Sequence, residues 1–217
     1  MKNYYNEGIE WTRVWREGAA GNGERVLLIG DSIIDGAKNF LSKHLAPDLF
    51  ISVFTTSKGL NNPYFIKELS LLCEQEDYDY KAIYLNSGLH FHRQSNEEYK
   101  ANYKALIAEI RKMIPSVPII LGTSTPWTEG NTAAVKDHDT PITLSGDVKF
   151  HERNKTVLEY NEKVFEIGRE EGLHVFDAYS LMVKHPEFKS HDGLHYKSEG
   201  SDMLASNIAS VIKDALK

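Results

Sequence analysis

Hydrophobic and polar positions divide this chain into short apolar runs and longer segments with apolar residues at helical spacing. The short runs are typical of buried strands, and apolar residues at every third or fourth position predict amphipathic helices. One predicted helix opens with a capping box, Ser95 with Glu98, and another ends at Gly172. The predicted strands are 25–30, 49–54, 81–85, 117–122 and 174–178, and the predicted helices are 37–44, 63–74, 95–114, 152–171 and 198–216.

Strands that alternate with helices at this spacing predict parallel βαβ units. We therefore predict an α/β fold: a three-layer α/β/α sandwich around a five-stranded parallel sheet, in one domain over residues 25–217. Residues 1–24 lie outside the alternation and are predicted to form an N-terminal extension packed on this domain. Within the extension, Trp11 and Trp15 at helical spacing suggest a short helix.

Polar and glycine residues follow the ends of several predicted strands. Sheets of this kind bind their ligands at the carboxyl ends of the strands. Ser32, Gly59, residues 86–92 and residues 123–127 all lie just past a strand end, so we expect them to converge on one site. The polar connection 127–150 is longer than most loops, and loops of this length are usually functional or disordered.

The composition excludes several classes of protein. With 217 residues, 41% hydrophobic and 26% charged, the chain is typical of a globular domain. A net charge of −6 without a basic stripe argues against nucleic-acid binding. No stretch has the pattern of a membrane span or a signal peptide, which predicts a cytoplasmic protein, although a secreted protein without its leader would look the same. The single cysteine, Cys73, lies in an apolar helical segment and is predicted to be structural rather than catalytic.

Ser32, Asp192 and His195 carry the strongest chemical signal. A free serine hydroxyl is a poor nucleophile, and it needs an imidazole to take its proton and a carboxylate to hold the ring. The alternative role for Ser32 is a helix N-cap, and the alternative for Asp192 and His195 is a capped turn. The Gly-x-Ser-x-Gly elbow of α/β-hydrolases is absent, because Ile34 occupies its last position. We predict a catalytic triad in the chain order Ser, Asp, His.

The sequence blocks around these residues resemble those of the SGNH, or GDSL-type, hydrolase superfamily. They are Gly-Asp-Ser-Ile at 30–33 followed by Gly36, a glycine after the second strand (Gly59), and Asp-Gly-Leu-His at 192–195. The resemblance covers nearly the whole domain and implies a flavodoxin-like fold with esterase, lipase, thioesterase or carbohydrate deacetylase activity. It also implies an oxyanion hole that includes the backbone amides of Ser32 and Gly59.

One block departs from the family pattern. The family's third block is usually Gly-x-Asn-Asp, whose asparagine donates to the oxyanion, whereas residues 85–90 read Leu-Asn-Ser-Gly-Leu-His. Asparagine and histidine side chains both supply N–H donors. The third donor of the oxyanion hole is therefore either Asn86 or His90, and the sequence leaves both open.

These observations predict a serine ester hydrolase that acts through an acyl-enzyme on a small-molecule ester, without a nucleic-acid or membrane partner. The polar connection 127–150 favours small acyl esters such as O-acetylated carbohydrate. Two alternatives stay open: an acyltransferase with the same triad, and a non-catalytic carbohydrate-binding protein on a degenerate hydrolase scaffold. Trp127 and Tyr196 are either walls of the substrate pocket or core aromatic residues.

The histidines after the third predicted strand invite a metal site. His90 and His92 alternate along an extended segment and would point the same way. No cysteine, and no carboxylate at ligand spacing, accompanies them in the sequence. We therefore predict neither a metal nor another cofactor.

Overall fold

The computed structural model describes residues 8–18, 23–75, 79–90, 93–130 and 148–217. The strands are Thr12–Arg16 (β1), Arg25–Gly30 (β2), Phe50–Thr56 (β3), Tyr80–Asn86 (β4), Ile119–Gly122 (β5) and His174–Phe176 (β6). The helices are Ser32–Leu45 (α1), Pro63–Gln75 (α2), Asn96–Met113 (α3), Asn154–Glu171 (α4), Ala178–Met182 (α5) and Ser198–Ala215 (α6), with a 3₁₀ helix at Pro186–Phe188. Within the described residues the six strands form one sheet, in the order β1-β3-β2-β4-β5-β6.

The side chains of β2 point alternately to the two faces of the sheet, as the two-residue period of a strand requires. Val26 and Leu28 belong to a buried cluster that includes residues of α1 and α6. Leu27 and Ile29 belong to a second buried cluster that includes residues of α2, α3 and α4. Since β2 is covered on both faces, every position of its hydrophobic run is buried. The predicted three-layer α/β/α architecture is confirmed.

The sheet differs from the prediction at one edge. The strands β2 to β6 are parallel as predicted, but β1 is a sixth strand that pairs antiparallel with β3, with Thr12 opposite Thr56. The short helix suggested by Trp11 and Trp15 is therefore wrong. Residues four apart share a face in a strand as well as in a helix, so their spacing does not distinguish the two. Pairing with β3 also satisfies backbone groups along that strand's outer edge.

Local sequence signals account for the helix ends. Ser95 and Glu98 form the predicted capping box of α3, and the Asn62 side chain accepts a hydrogen bond of 3.0 Å from the Tyr64 amide at the start of α2. The helix α4 ends at Gly172, whose φ of 65° is left-handed. The helix α5, with 5 residues, is too short to show a period and was not predicted. Among the described helices, none combines the length and the apolar character needed to cross a membrane.

Cys73 lies on α2 and is half-buried. Burial raises the pKa of its thiol to about 11. Because the thiolate is the reactive form of cysteine, this environment disfavours nucleophilic chemistry. The predicted structural role fits these surroundings.

The strand order has a switch point at the carboxyl end of β2. From β2 the chain passes to β3 on one side, and from β3 it crosses to β4 on the other side. Open α/β sheets bind ligands at such a switch point, outside the carboxyl ends of the strands. Ser32 immediately follows β2 at this point, so the fold places the predicted nucleophile where a ligand is expected.

Candidate active site

Ser32 is the first residue of α1, directly after the turn that follows β2. The N-cap of α1 is Asp31, whose Oδ1 accepts a hydrogen bond of 3.0 Å from the Ile33 amide. The capping role that was the alternative for Ser32 is therefore filled by its neighbour. As a result, the Ser32 hydroxyl is not needed to hold the helix.

The structure brings Ser32, His195 and Asp192 together. The Ser32 Oγ lies 2.8 Å from His195 Nε2, across 163 residues of sequence. The other ring nitrogen, Nδ1, lies 2.5 Å from Asp192 Oδ2. The three side chains thus form one hydrogen-bonded series in which the imidazole links a hydroxyl to a carboxylate. This is the geometry that a serine nucleophile and its general base require.

Asp192 is fixed by its own loop. Its Oδ1 accepts hydrogen bonds from Ser190 Oγ at 2.6 Å, from the Leu194 amide at 2.9 Å and from the His195 amide at 2.9 Å. Gly193 has a φ of 71°, a left-handed conformation that glycine adopts without strain. One carboxylate oxygen therefore closes the turn, and the other is left for the imidazole.

The hydrogen bonds set the charge states of the pair. Burial alone would raise the pKa of Asp192, but the hydrogen bonds from His195, Ser190 and the backbone amides prevail and lower it well below its usual range. The hydrogen bond to Asp192 raises the pKa of His195, and burial of the ring opposes this only in part. A neutral imidazole is needed to accept a proton, so this geometry moves the acid limb of any His195-dependent reaction to higher pH.

The beginning of the long connection after β5 packs on the Asp192 loop. The Thr128 amide and hydroxyl both donate to the Gly193 carbonyl, at 2.9 and 3.0 Å. A Cβ on Gly193 would lie 2.3 Å from the Thr128 carbonyl oxygen, and a Cβ on Gly130 would lie 2.7 Å from the Asp192 backbone. The two segments therefore meet backbone to backbone, at a distance that only glycine permits. Residues 131–147 of the predicted loop lie outside the described residues.

The two predicted backbone donors of the oxyanion hole lie after neighbouring strands. The Ser32 amide belongs to the first turn of α1, where amides have no partner within the helix. Gly59 is buried in the loop after β3, and its carbonyl accepts a hydrogen bond of 2.9 Å from the Asn62 amide. The assignment of these amides to an oxyanion stays a prediction.

The two alternatives for the third donor occupy different environments. Asn86 is buried at the end of β4, and its Nδ2 donates to the Gly122 carbonyl at 3.0 Å, which leaves the second N–H of the amide. His90 is half-buried in the loop after β4. Burial raises the pKa of Asp31, and the charge of His90 opposes this rise, which places His90 near the residue that precedes Ser32. Both alternatives stay open.

The histidines considered as metal ligands, His90 and His92, follow β4 in the sequence. Among the described residues, no three or more histidine, cysteine, aspartate or glutamate side chains are grouped to hold a metal ion. His92, the second histidine of the alternating pattern, lies outside the described residues. The prediction that the chain needs no metal therefore stays a prediction.

Trp127 and Tyr196, the predicted pocket residues, both contact protein groups. The Trp127 ring stacks on His151, with 4.7 Å between ring centroids, and the Arg153 guanidinium lies 5.5 Å from the indole. The Lys189 Nζ lies 3.7 Å from the centroid of the Tyr196 ring. These contacts account for part of each ring's surface without a ligand. A role in the substrate pocket stays a prediction.

Two residues that hold this site, Ser190 and Thr128, were not among the predicted site residues. Ser190 lies two residues before Asp192, a spacing at which serine and aspartate side chains bond within turns, so a signal was present. Thr128 gave no signal, because its contact with Gly193 joins segments that are 65 residues apart.

Comparison with known proteins gives relatives over part of the chain. No protein-family model matches it. A human protein named isoamyl acetate-hydrolyzing esterase 1 homolog is 31% identical over 120 residues, and the Arabidopsis thaliana GDSL esterase/lipase CPRD49 is 30% identical over 121 residues. Each alignment covers 54% of this chain, and they cover 46% and 44% of the relatives. The chain thus spans just under half the length of the curated relatives it matches.

Solved structures match over most of the chain. The aryl esterase of M. smegmatis aligns with a TM-score of 0.67 at 12% identity, and covers 88% of this chain and 99% of its own. Est24, a carbohydrate acetylesterase from Sinorhizobium meliloti, aligns with a TM-score of 0.64 at 11% identity, over 88% and 99% of the two chains. The C-terminal catalytic domain of Streptococcus pneumoniae peptidoglycan O-acetyltransferase A aligns with a TM-score of 0.60 at 19% identity, over 90% and 96%. At these identities the matches establish a shared fold.

Proposed function

We propose that the chain belongs to the SGNH (GDSL-type) hydrolase superfamily and that it is a serine ester hydrolase that acts through an acyl-enzyme. The observation that carries this proposal is the hydrogen-bonded series from Ser32 through His195 to Asp192 at the carboxyl end of β2. Relatives named as esterases support it. The fixed Asp192 loop supports it as well, because a general base must be held in one tautomer and orientation.

In the first half of the reaction, Ser32 Oγ attacks the ester carbonyl carbon while His195 Nε2 accepts the hydroxyl proton. The Asp192 carboxylate stabilises the imidazolium that forms. His195 then gives this proton to the alcohol oxygen as the carbon–oxygen bond breaks, and the acyl group remains on Ser32. In the second half, His195 takes a proton from water, whose oxygen attacks the acyl carbon. The acid is released as the proton returns to Ser32 Oγ.

The carbonyl oxygen becomes negatively charged in each tetrahedral intermediate. We assign its stabilisation to the backbone amides of Ser32 and Gly59 together with one side-chain donor. The position of Ser32 in the first turn of α1 supports this assignment, because the positive end of a helix dipole favours a negative charge there. Asn86 and His90 are the alternatives for the side-chain donor.

Alanine variants separate these two alternatives. If Asn86 is the donor, Asn86→Ala lowers kcat by about 10²- to 10³-fold with little change in KM, because the bond strengthens only as the carbonyl becomes tetrahedral. His90→Ala is then mild. If His90 is the donor the pattern inverts, and kcat gains a pH dependence in addition to that of His195. Melting temperatures control for the contact between Asn86 and Gly122. Near-native kcat in both variants would contradict a side-chain donor.

We propose short acyl esters, such as O-acetylated carbohydrate, as the substrate class. The polar sequence of the 127–150 connection supports this, since it contains no long run of apolar residues that would suit a long acyl chain. A structural neighbour that is a carbohydrate acetylesterase supports it too. The test is the rate of hydrolysis of p-nitrophenyl acetate, butyrate, octanoate and palmitate. We expect the highest kcat/KM with acetate or butyrate, and a maximum at octanoate or palmitate would contradict the proposal.

The alternative of acyl transfer with the same triad is favoured by one observation, the structural likeness to a peptidoglycan O-acetyltransferase domain. Adding a sugar acceptor to the p-nitrophenyl acetate assay distinguishes the two activities. A hydrolase releases acetate in proportion to nitrophenol, whereas a transferase yields acetylated sugar and less acetate. A protein that only binds carbohydrate would release no nitrophenol in either condition.

A further inference from the structure

A buried lysine lies beneath the loop that carries Asp192 and His195. Lys189 is only 1% exposed, and its backbone pairs with Tyr196 in an isolated antiparallel bridge. The Ser190 amide donates to the His195 carbonyl at 2.9 Å, which closes the loop above this bridge. Lys189 therefore lies at the base of the loop that carries Asp192 and His195.

The Lys189 side chain contacts the two residues that flank His195. Its Nζ donates to the Leu194 carbonyl at 2.8 Å and lies 3.7 Å from the centroid of the Tyr196 ring. A carbonyl oxygen and an aromatic face both favour a cation. In the described part of the chain, no carboxylate lies within 4.0 Å of this ammonium group, the distance that defines an ion pair. Burying a lysine costs free energy unless its ammonium group is paired or hydrogen-bonded, and here the Leu194 carbonyl and the Tyr196 ring supply those contacts.

We propose that Lys189 is a positioning residue for His195: its ammonium group fixes the Leu194 carbonyl and the Tyr196 ring on either side of the histidine and offsets the negative charge of Asp192. The effect of Lys189 on catalysis rests on the proposed function. The contacts themselves are independent of the reaction. Lys189 does not touch the reacting atoms and acts through the loop and through its charge.

The charges that face His195 come from two parts of the fold. Asp192, in the same loop, and Asp31, at the end of β2, both raise the pKa of His195, whereas Lys189 lowers it. His90, in the loop after β4, faces Asp31 in turn. For Lys189 itself, burial lowers the pKa well below its usual range, and the charge of Asp192 opposes this only in part. Removing the Lys189 charge should therefore raise the pKa of His195 and make the imidazole a base only at higher pH.

The test is a comparison of Lys189→Met with Lys197→Met in the full chain. Methionine fills the space of the lysine without the charge and without the donor to the Leu194 carbonyl, and the melting temperature of each variant shows whether it folds. Lys197 is the matched control, because it lies two residues after His195 but its Nζ bonds to the Glu187 carbonyl instead. Proton NMR titration of the His195 ring and the pH profile of kcat/KM are the two readouts.

For Lys189→Met we expect the pKa of His195 to rise, with the acid limb of kcat/KM moving to higher pH by the same amount. We also expect kcat to fall by about tenfold while KM changes little, since misplaced catalytic groups affect the chemical step. Lys197→Met keeps the wild-type values. Lys189→Arg, which retains the charge and the donors, keeps the acid limb of kcat/KM at its wild-type pH.

Two outcomes would overturn the inference. An unchanged NMR titration in folded Lys189→Met would show that Lys189 carries no charge that acts on His195. An unchanged kcat in the same variant would show that the loop does not depend on the Leu194 contact. Because the titration needs no turnover, a wild-type protein that hydrolyses no ester would contradict the proposed function and still leave this measurement intact.

Discussion

Ser32→Ala is expected to lower kcat for p-nitrophenyl acetate by about 10⁴-fold or more while leaving the melting temperature unchanged. The loss is large because His195 would have no hydroxyl to activate. Stability is kept because the N-cap of α1 is Asp31, and alanine is favoured within a helix. The measurements are steady-state kinetics, thermal unfolding and labelling by a fluorophosphonate probe, which reacts with activated serines. The wild type should be labelled at Ser32, and the variant should not.

Ser198→Ala is the matched control. Ser198 is the first residue of α6, as Ser32 is of α1, but it is exposed. This variant should keep the wild-type rate and the wild-type labelling. Undiminished turnover in Ser32→Ala, with the substitution verified by mass spectrometry, would rule out Ser32 as the nucleophile.

Asp192→Asn is expected to lower kcat by about 10⁴-fold, because it stabilises the wrong tautomer of His195. Three donors, from Ser190, Leu194 and the backbone of His195, meet at Oδ1 and require an acceptor there. The asparagine must therefore direct its oxygen to these donors and its NH₂ group to the imidazole. The ring then accepts at Nδ1 and carries its proton on Nε2, where it cannot take the proton of Ser32. Kinetics and ¹⁵N NMR of the imidazole measure both effects.

The chain offers a second Asp–His pair as a control. Asp202 on α6 lies 2.7 Å from His44 on α1, away from Ser32, and both side chains are solvent-accessible. Asp202→Asn should leave kcat unchanged. If Asp192→Asn keeps a near-native rate, Asp192 is only a turn residue. A lost rate together with a lower melting temperature would point to unfolding of the loop instead of a wrong tautomer.

The sequence pattern predicted those strands and helices whose hydrophobic positions are periodic. The run Arg25–Gly30 and the helical spacing in Asn96–Met113 are periodic over enough residues to identify a strand and a helix. The strand at Thr12–Arg16 was missed, because its stability comes from pairing with Phe50–Thr56 and not from its own pattern. Edge strands are in general defined by a neighbour that is distant in sequence.

The residues of the site likewise fall into those that the sequence predicts and those that it does not. Ser32, Asp192 and His195 were found because their chemistry limits the residue types, and the fold brings them within hydrogen-bond distance. The burial of Lys189 could not be predicted, since an isolated lysine in a sequence is far more often a surface residue. Asn86 and His90 could not be separated because each can supply an N–H donor.

The direction of β1 has a practical consequence for attaching the protein to a surface. Because β1 runs against its neighbours, residues 8–11 reach the sheet at its carboxyl edge, where the Trp11 carbonyl accepts a hydrogen bond of 3.1 Å from the Ser57 amide. The helix α6 starts beside His195, and its 18 residues place its last turn about 27 Å away. A support coupled beyond α6, through Lys217→Cys, would leave the carboxyl edge of the sheet facing solution. A support coupled at Gly8 would crowd the carboxyl edge of the sheet, where Ser32 lies.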